Sequence, residues 1–350
     1  MPLTVLNVGY PLAAVSDSTA GGAEQIVSVL DEFLVRHGHG SVVVAPKGSR
    51  VRGELVGVAA VGQELDEAVH AEGIRQTRRA IARALESFPI DVIHMHGIDF
   101  LDYLPEPGTP VVVTLHLPPS WYPERAFAIA RPDTHLVCVS QSQARACPGD
   151  YEYVIENGIR LGSYRPARKR GYVVALGRIC PEKGFHLALE AADRCRRPLL
   201  LAGTVFGYEA HQRYFEEMIR PRLKNPHRFL GGVGLARKRR LLAAARCLLA
   251  TSLVDETSSL VAMEAMACGT PVVAFRRGAL AEVVSDGRTG FLVNDVDEMS
   301  AAIENAAQLG PQECRREAEQ RFSAEAMFRK YSAVYEKLAA GRPVQTSLAA

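Results

Sequence analysis

Two carboxylates and two cations in this chain have the spacing to hold a ligand that is both anionic and rich in hydroxyls. The carboxylates, Glu256 and Glu264, lie within Asp255-Glu256-Thr257-Ser258-Ser259-Leu260-Val261-Ala262-Met263-Glu264. Thr257, Ser258 and Ser259 are good helix-capping types, so a helix is expected to start there. Glu256 then sits in the loop before the helix, and Glu264 roughly 9 Å along its axis. The unsatisfied N–H groups of the first turn form an anion site between the two acids. The cations belong to Gly177-Arg178-Ile179-Cys180-Pro181-Glu182-Lys183-Gly184. A forked guanidinium and a point-charge ammonium in one turn suit a diphosphate. Together these groups match a sugar, a diphosphate and a ribose in order. A further glycine pair, in Gly21-Gly22-Ala23-Glu24, opens a helix after the first strand, where bare backbone N–H groups can approach an anion. It is not the dinucleotide fingerprint, because no GxGxxG follows the strand end at Gly9.

The elements that must position these groups follow from the apolar period, which alternates between strand and helix almost from end to end. Thr4–Val8, Ser41–Ala45, Asp91–His94, Pro110–Leu115 and His135–Val139 read as buried parallel strands, with helices over Gly22–Arg36 and Asp66–Phe88. The rhythm then restarts. Tyr172–Leu176, Pro198–Ala202, Cys247–Ala250 and Pro271–Ala274 read as strands, separated by helices near Lys183–Arg194, Leu235–Ala245 and Ser258–Ala267. Two βα series imply an α/β protein of two doubly wound domains, with ligands beyond the carboxyl ends of the strands. The expected domains are 1–163 and 164–322, joined by a hinge in the basic, Gly- and Pro-containing segment Leu161–Gly171. A helix over 323–340 is expected to dock its stripe of Ala326, Met327, Tyr331, Val334 and Tyr335 on a domain surface. Residues 341–350 read as a flexible tail.

A length of 350 residues suits roughly two domains. With 47% hydrophobic and 23% charged residues, the composition excludes a disordered tail protein, a collagen-like fibre and a strongly basic coat. The net charge of +2 and the lack of stacking-rich basic motifs argue against nucleic acid as a partner. No apolar run reaches the ~18 residues that cross a bilayer. With no secretory pattern at the amino terminus, a cytoplasmic location is expected. The seven cysteines are odd in number and without a CxxC pair, as for reduced, buried thiols.

With these motifs in place, the sequence resembles the retaining nucleotide-sugar glycosyltransferases of the GT-B fold, specifically glycosyltransferase family 4. The resemblance rests on Gly21-Gly22-Ala23-Glu24, Asp91-Val92-Ile93-His94-Met95-His96-Gly97, Thr114-Leu115-His116, Glu156-Asn157-Gly158-Ile159, the Gly177–Gly184 turn and Glu256–Glu264. Gly287-Arg288-Thr289-Gly290-Phe291-Leu292 extends it. The likeness implies two Rossmann-like domains facing each other across a cleft, the donor against the second and the acceptor against the first. It implies that Arg178 and Lys183 hold the diphosphate, Glu264 the ribose hydroxyls and Glu256 the transferred sugar, with the backbone over Thr257, Ser258, Ser259 and Leu260 facing sugar and phosphate. Gly22 would lie near the diphosphate and His116 beside the sugar, making His116 and Glu256 the catalytic pair. Thr257-Ser258-Ser259 stands where many relatives have Gly-Phe-Gly, so the sugar preference of those relatives does not transfer directly.

The expected reaction is transfer of a hexose, glucose-type, from a UDP-sugar to a hydroxyl acceptor such as a glycan, a lipid-linked sugar or a small molecule, with retention and without a metal or other cofactor. Arg178, Lys183 and the helix start would stabilise the leaving phosphate. Alternatives are a GDP-mannose-dependent mannosyltransferase, a UDP-N-acetylglucosamine epimerase of the same fold, or a nucleotide-sugar-binding protein without turnover.

Weaker signals have plainer readings. His94 and His96 are placed on opposite faces of their strand with no third ligand identifiable, so a pocket role for one of them is expected rather than a metal pair. Asp295-Val296-Asp297 reads as a helix start rather than a metal-binding DxD. Arg75, Arg78, Arg79 and Arg83 make one helical face basic, with peripheral contact to an anionic membrane as the alternative to a solvated face. The Arg237-Lys238-Arg239-Arg240 run either adds positive potential for a nucleotide or stays solvated.

Overall fold

The computed structural model describes residues 2–17, 19, 21–59, 66–149 and 151–341. Ala20 and 342–350, the bulk of the expected flexible tail, lie outside them.

The first βα series forms a seven-stranded sheet in the order β3-β2-β1-β4-β5-β6-β7. Its strands are β1 (Thr4–Val8), β2 (Gly40–Pro46), β3 (Glu54–Val58), β4 (Val92–Met95), β5 (Val111–Leu115), β6 (Thr134–Cys138) and β7 (Tyr153–Val154). All pairings are parallel. The helices are α1 (Gly22–Arg36), α2 (Glu67–Ser87) and α3 (Gln141–Ala146). Parallel strands covered on both faces must be apolar throughout, and Val111, Val112, Val113 and Leu115 of β5 are all fully buried. On one face Ala80, Ile81 and Ala84 of α2 pack over Leu6, Ile93 and Val111. On the other, Ile26, Leu30 and Leu34 of α1 pack over Val5, Val92 and Val112.

The second series forms a six-stranded sheet in the order β10-β9-β8-β11-β12-β13. The strands are β8 (Val173–Leu176), β9 (Leu199–Ala202), β10 (Arg228–Phe229), β11 (Leu248–Ala250), β12 (Val272–Phe275) and β13 (Gly290–Val293). The helices are α4 (Phe185–Arg194), α5 (Glu209–Tyr214), α6 (Leu235–Ala244), α7 (Leu260–Ala267), α8 (Leu280–Val283), α9 (Val296–Asn305) and α10 (Pro311–Arg321), before a last helix, α11 (Ala324–Ala340). Each sheet reverses its strand order once, between β1 and β4 and between β8 and β11. In sheets of this kind ligands bind at the carboxyl ends beside that reversal, and the motif-bearing loops after β1, β5, β8 and β11 leave from those ends. None of the helices described is long and apolar enough to cross a membrane.

Helix α11 docks back on the first domain. Met327, Phe328, Tyr331, Val334 and Tyr335 are buried with α1 and the first sheet, and Phe328 adds to the expected stripe. The chain therefore crosses between domains twice, and the crossings are bonded: Ile159 N–H donates to Phe322 O at 2.8 Å and Ala324 N–H to Ile159 O at 2.9 Å. At Gly158 a Cβ would lie 2.6 Å from Ser323 O, so only glycine lets the two crossings touch.

Several local expectations need correction. The strands β3, β7 and β10 escape the apolar period because β3 is a half-exposed edge and the other two are two residues each. Helix α4 starts at Phe185 rather than Lys183, after a 3₁₀ turn over Pro181–Lys183 that Gly184 ends at φ 59°. Helix α7 starts at Leu260 with Ser259 as its N-cap, and no side chain caps it. His94 and His96 share a face, with ring centroids 3.9 Å apart, because residues two apart on a strand point the same way. All seven cysteines are free thiols, five of them buried.

Candidate functional site

The turn after β8 and the loop after β11 are built against each other. Leu253 N–H donates to Glu182 O at 2.7 Å and Thr251 Oγ1 to Lys183 O at 2.9 Å. Gly184 fits there because a Cβ would lie 2.3 Å from Thr251 O. This docking brings Lys183 Nζ into an ion pair with Glu256 Oε1, which also accepts from Ser252 Oγ. The two side chains are 26% and 14% exposed, so the pair is held in place yet reachable by a ligand. Arg178 lies on the same turn, half-buried.

Glu264 is held differently. It is almost fully buried on α7, and its Oε1 accepts from Lys238 Nζ and from Tyr164 OH, both at 2.6 Å. Burial raises the Tyr164 phenol, with the adjoining Glu264 charge acting in the same direction, so Tyr164 remains a donor. Lys238 belongs to the basic run on α6, whose pattern did not single it out. A lysine three residues into a helix, on the side facing α7, is the tertiary fact that selects it.

The first domain supplies two further edges. Gly22, at the start of α1, faces the start of α7: a Cβ on Gly22 would be 3.6 Å from Leu260 Cδ1. Leu260 packs against both the core under α1 and the core around α7, so its side chain joins the domains while its backbone opens the helix. Thr257 Oγ1 donates across the cleft to His116 O at 2.8 Å. The expected capping by Thr257 and Ser259 side chains is therefore not what these residues do, and Ser258 Oγ is buried without a partner among the described residues. Glu24, buried beside Gly21, has its carboxyl pushed up by desolvation, and the Arg178 charge pulls it back down. The chain thus brings Lys183 to Glu256, Thr257 to His116 and Gly22 to Leu260, while Glu264 stands apart with Lys238 and Tyr164.

His116 follows β5. Tyr122 OH accepts from the backbone N–H groups of His116 and Leu117 at 3.1 and 3.3 Å. The His116 ring lies edge to edge with that of His96, centroids 5.3 Å apart and planes 21° apart, and burial holds the His116 pKa down at about 4. Tyr122 was not legible as a site residue, since the Pro-rich loop around it carries no recurring spacing.

Other clusters sort by the same physics. Asp295 accepts from Glu298 N–H at 2.8 Å as the N-cap of α9, and Asp297 pairs with Arg194, so both acids of the DxD pattern have structural partners. Cys180, Glu182 and His211 bring ligand atoms within 4.8 Å of one another. The Arg178 charge bears on all three, which opposes a cation there. On α2, Arg75 pairs with Glu72 at 2.5 Å and Arg78 donates to Asp102 O, whereas Arg79 and Arg83 line a cavity with Lys47.

Two doubly wound domains that meet where the starts of α1 and α7 face each other make the GT-B arrangement. The two halves match the models for Glycosyltransferase Family 4 over residues 20–162 and Glycosyl transferases group 1 over residues 170–308. The chain belongs to glycosyltransferase family 4. It is 33% identical to D-inositol 3-phosphate glycosyltransferase 2 of Catenulispora acidiphila over 174 residues, 43% of this chain. That match spans only 40% of the relative's length. Among solved structures, AviGT4, a glycosyltransferase involved in avilamycin A biosynthesis, is 28% identical with a TM-score of 0.71, covering 97% of this chain and 99% of its own. HepE of Anabaena, in complex with UDP-glucose, is 20% identical with a TM-score of 0.74, covering 96% of this chain and 100% of its own, a likeness of fold.

Proposed function

We propose that this glycosyltransferase moves a glucose-type hexose from a UDP-sugar to a hydroxyl acceptor, with retention and without a metal. The observation that carries the reading is the Lys183–Glu256 pair in the loop that opens α7, directly before Thr257 reaches His116 across the cleft. A sugar phosphate placed there meets the paired carboxylate and ammonium together, with Ser252 and the start of α7 beside them.

Breaking the anomeric C–O bond puts negative charge on the departing diphosphate and positive charge on the ring. Lys183, held in advance by Glu256, stabilises the former together with Arg178 and the first-turn N–H groups of α7. Glu256, ion-paired and hydrogen-bonded, orients the sugar hydroxyls. Ser258 Oγ, without a partner among the described residues, lies in the loop that opens α7. Glu264 receives the ribose hydroxyls beside Lys238 and Tyr164, which both bond its Oε1. Both carboxylates are tied to lysines, so neither is a free nucleophile for a double displacement. Front-face attack follows, with the leaving phosphate taking the acceptor proton. HepE, bound to UDP-glucose, supports a UDP donor.

Thermal-shift titration with UDP-, GDP- and ADP-sugars tests the donor, and stabilisation by UDP-glucose above the others is expected. NMR of the product should show the donor's anomeric configuration; inversion overturns the mechanism. EDTA should leave the rate unchanged, and loss restored by magnesium would show that a metal is required.

A further inference from the structure

Beneath His116 lies a buried polar layer that the transfer chemistry above does not use. Asn7, His94 and Thr114 occupy the carboxyl-end positions of β1, β4 and β5 on the face covered by α1 and α11, and His96 and His116 continue the same rows. Asn7, His94, His96 and Thr114 are each at most 2% exposed. His94 is clamped from two sides: Nδ1 lies 2.6 Å from Tyr335 OH, and Nε2 lies 2.7 Å from Thr114 Oγ1, which in turn is 2.9 Å from Tyr331 OH. The His94 ring packs on His96, whose Nδ1 is 3.0 Å from His116 Nε2. His96 Nε2 is buried with no partner among the described residues.

One proton serves the bond between the two neutral rings, and its position decides which group is left orphaned. If His116 donated, His96 would carry its proton on Nε2, burying an N–H with nothing to accept it. If His96 donates from Nδ1, the orphan is a bare lone pair, the less costly defect. Resting on the donor reading above, we propose that His96 is a positioning residue. It donates from Nδ1 to His116 Nε2, fixing His116 as the Nδ1–H tautomer, so that His116 offers a hydrogen-bond donor, not an acceptor, to the transferred sugar. The tyrosines of α11 lock this arrangement through His94 and Thr114. The carboxyl-terminal helix thereby reaches the reacting sugar without touching it.

The test exploits side-chain mimicry, since an Asn amide nitrogen can replace imidazole Nδ1 and a Gln amide nitrogen Nε2. His96→Asn should keep transfer from UDP-glucose within about threefold of the native rate. His96→Gln should lower kcat by about 10- to 100-fold, the range typical of outer-shell partners. UDP affinity, measured calorimetrically, should be unchanged in both. Nitrogen-15 NMR of histidine-labelled native protein reads the tautomer without any turnover and should find His116 protonated on Nδ1. A proton on Nε2 of His116, or equal activity of the Asn and Gln variants, overturns the assignment. An Nδ1–H signal in a protein that turns over no UDP-sugar would instead overturn the donor reading and leave the tautomer standing.

Discussion

Among the residues of the site, charges are paired: each carboxylate has its lysine. Lys183 and Glu256 neutralise each other across two loops, so neither needs the donor in order to stay folded. Lys183→Ala and Glu256→Ala should each lower transfer by about a hundredfold while leaving the circular dichroism of the native chain. Near-native transfer from either would remove the pair from the mechanism. Lys238 and Glu264 differ because they are buried. Lys238→Ala leaves a carboxylate that is 3% exposed without its counter-charge, at an expected cost of about 3 kcal/mol by denaturant unfolding. Adding Glu264→Gln should restore much of that stability and none of the UDP affinity. Failure of the second change to restore stability would show that the lysine acts by packing alone.

At the scale of elements, function depends on how helices begin and on where the chain crosses. The start of α7 carries no side-chain cap, which leaves its first N–H groups to a ligand, and Thr257 turns to the opposite domain instead. The double crossing is equally specific. Gly158→Val would drive a side chain into Ser323 O and the start of α11, parting the bonded segments. A loss of about 2 kcal/mol or more in unfolding free energy is expected, together with weaker docking of α11, seen as faster amide exchange in that helix. Unchanged exchange would mean that the helix is held by its apolar face alone.

For the whole molecule, acid should be the sensitive direction. Burial holds His94 and His96 well below the ordinary histidine value and His116 at about 4. The unfolded chain takes up protons as pH falls through about 6.5, whereas the folded layer does not, so protonation favours unfolding. This contribution to stability is complete above pH 6.5 and is lost progressively on descending towards about 4. The melting temperature should fall steeply across that window in the native protein, and less so in a His94→Phe variant that still folds. Equal slopes in the two would place the acid sensitivity elsewhere.

The pairing of domains and the order of the motifs were legible in the linear chain because both rest on local rules. The strand and helix periods, the glycines and the Arg178–Lys183 turn need no distant partner to be recognised. What a residue bonds to was not legible. Lys238 belonged to a run of four basic residues that looked alike until α6 packed against α7. Thr257 read as a cap until the domains met. His94 and His96 were assigned to opposite faces, although the strand period alone places them together. The link from Tyr335 and Tyr331 to His116 joins segments more than two hundred residues apart. Which chemical groups are present, and which local element carries each, is written in the linear chain. Which of them share a proton or a charge is set by the packed fold, because hydrogen bonds and ion pairs depend on separations of a few ångströms that distant segments acquire only by packing.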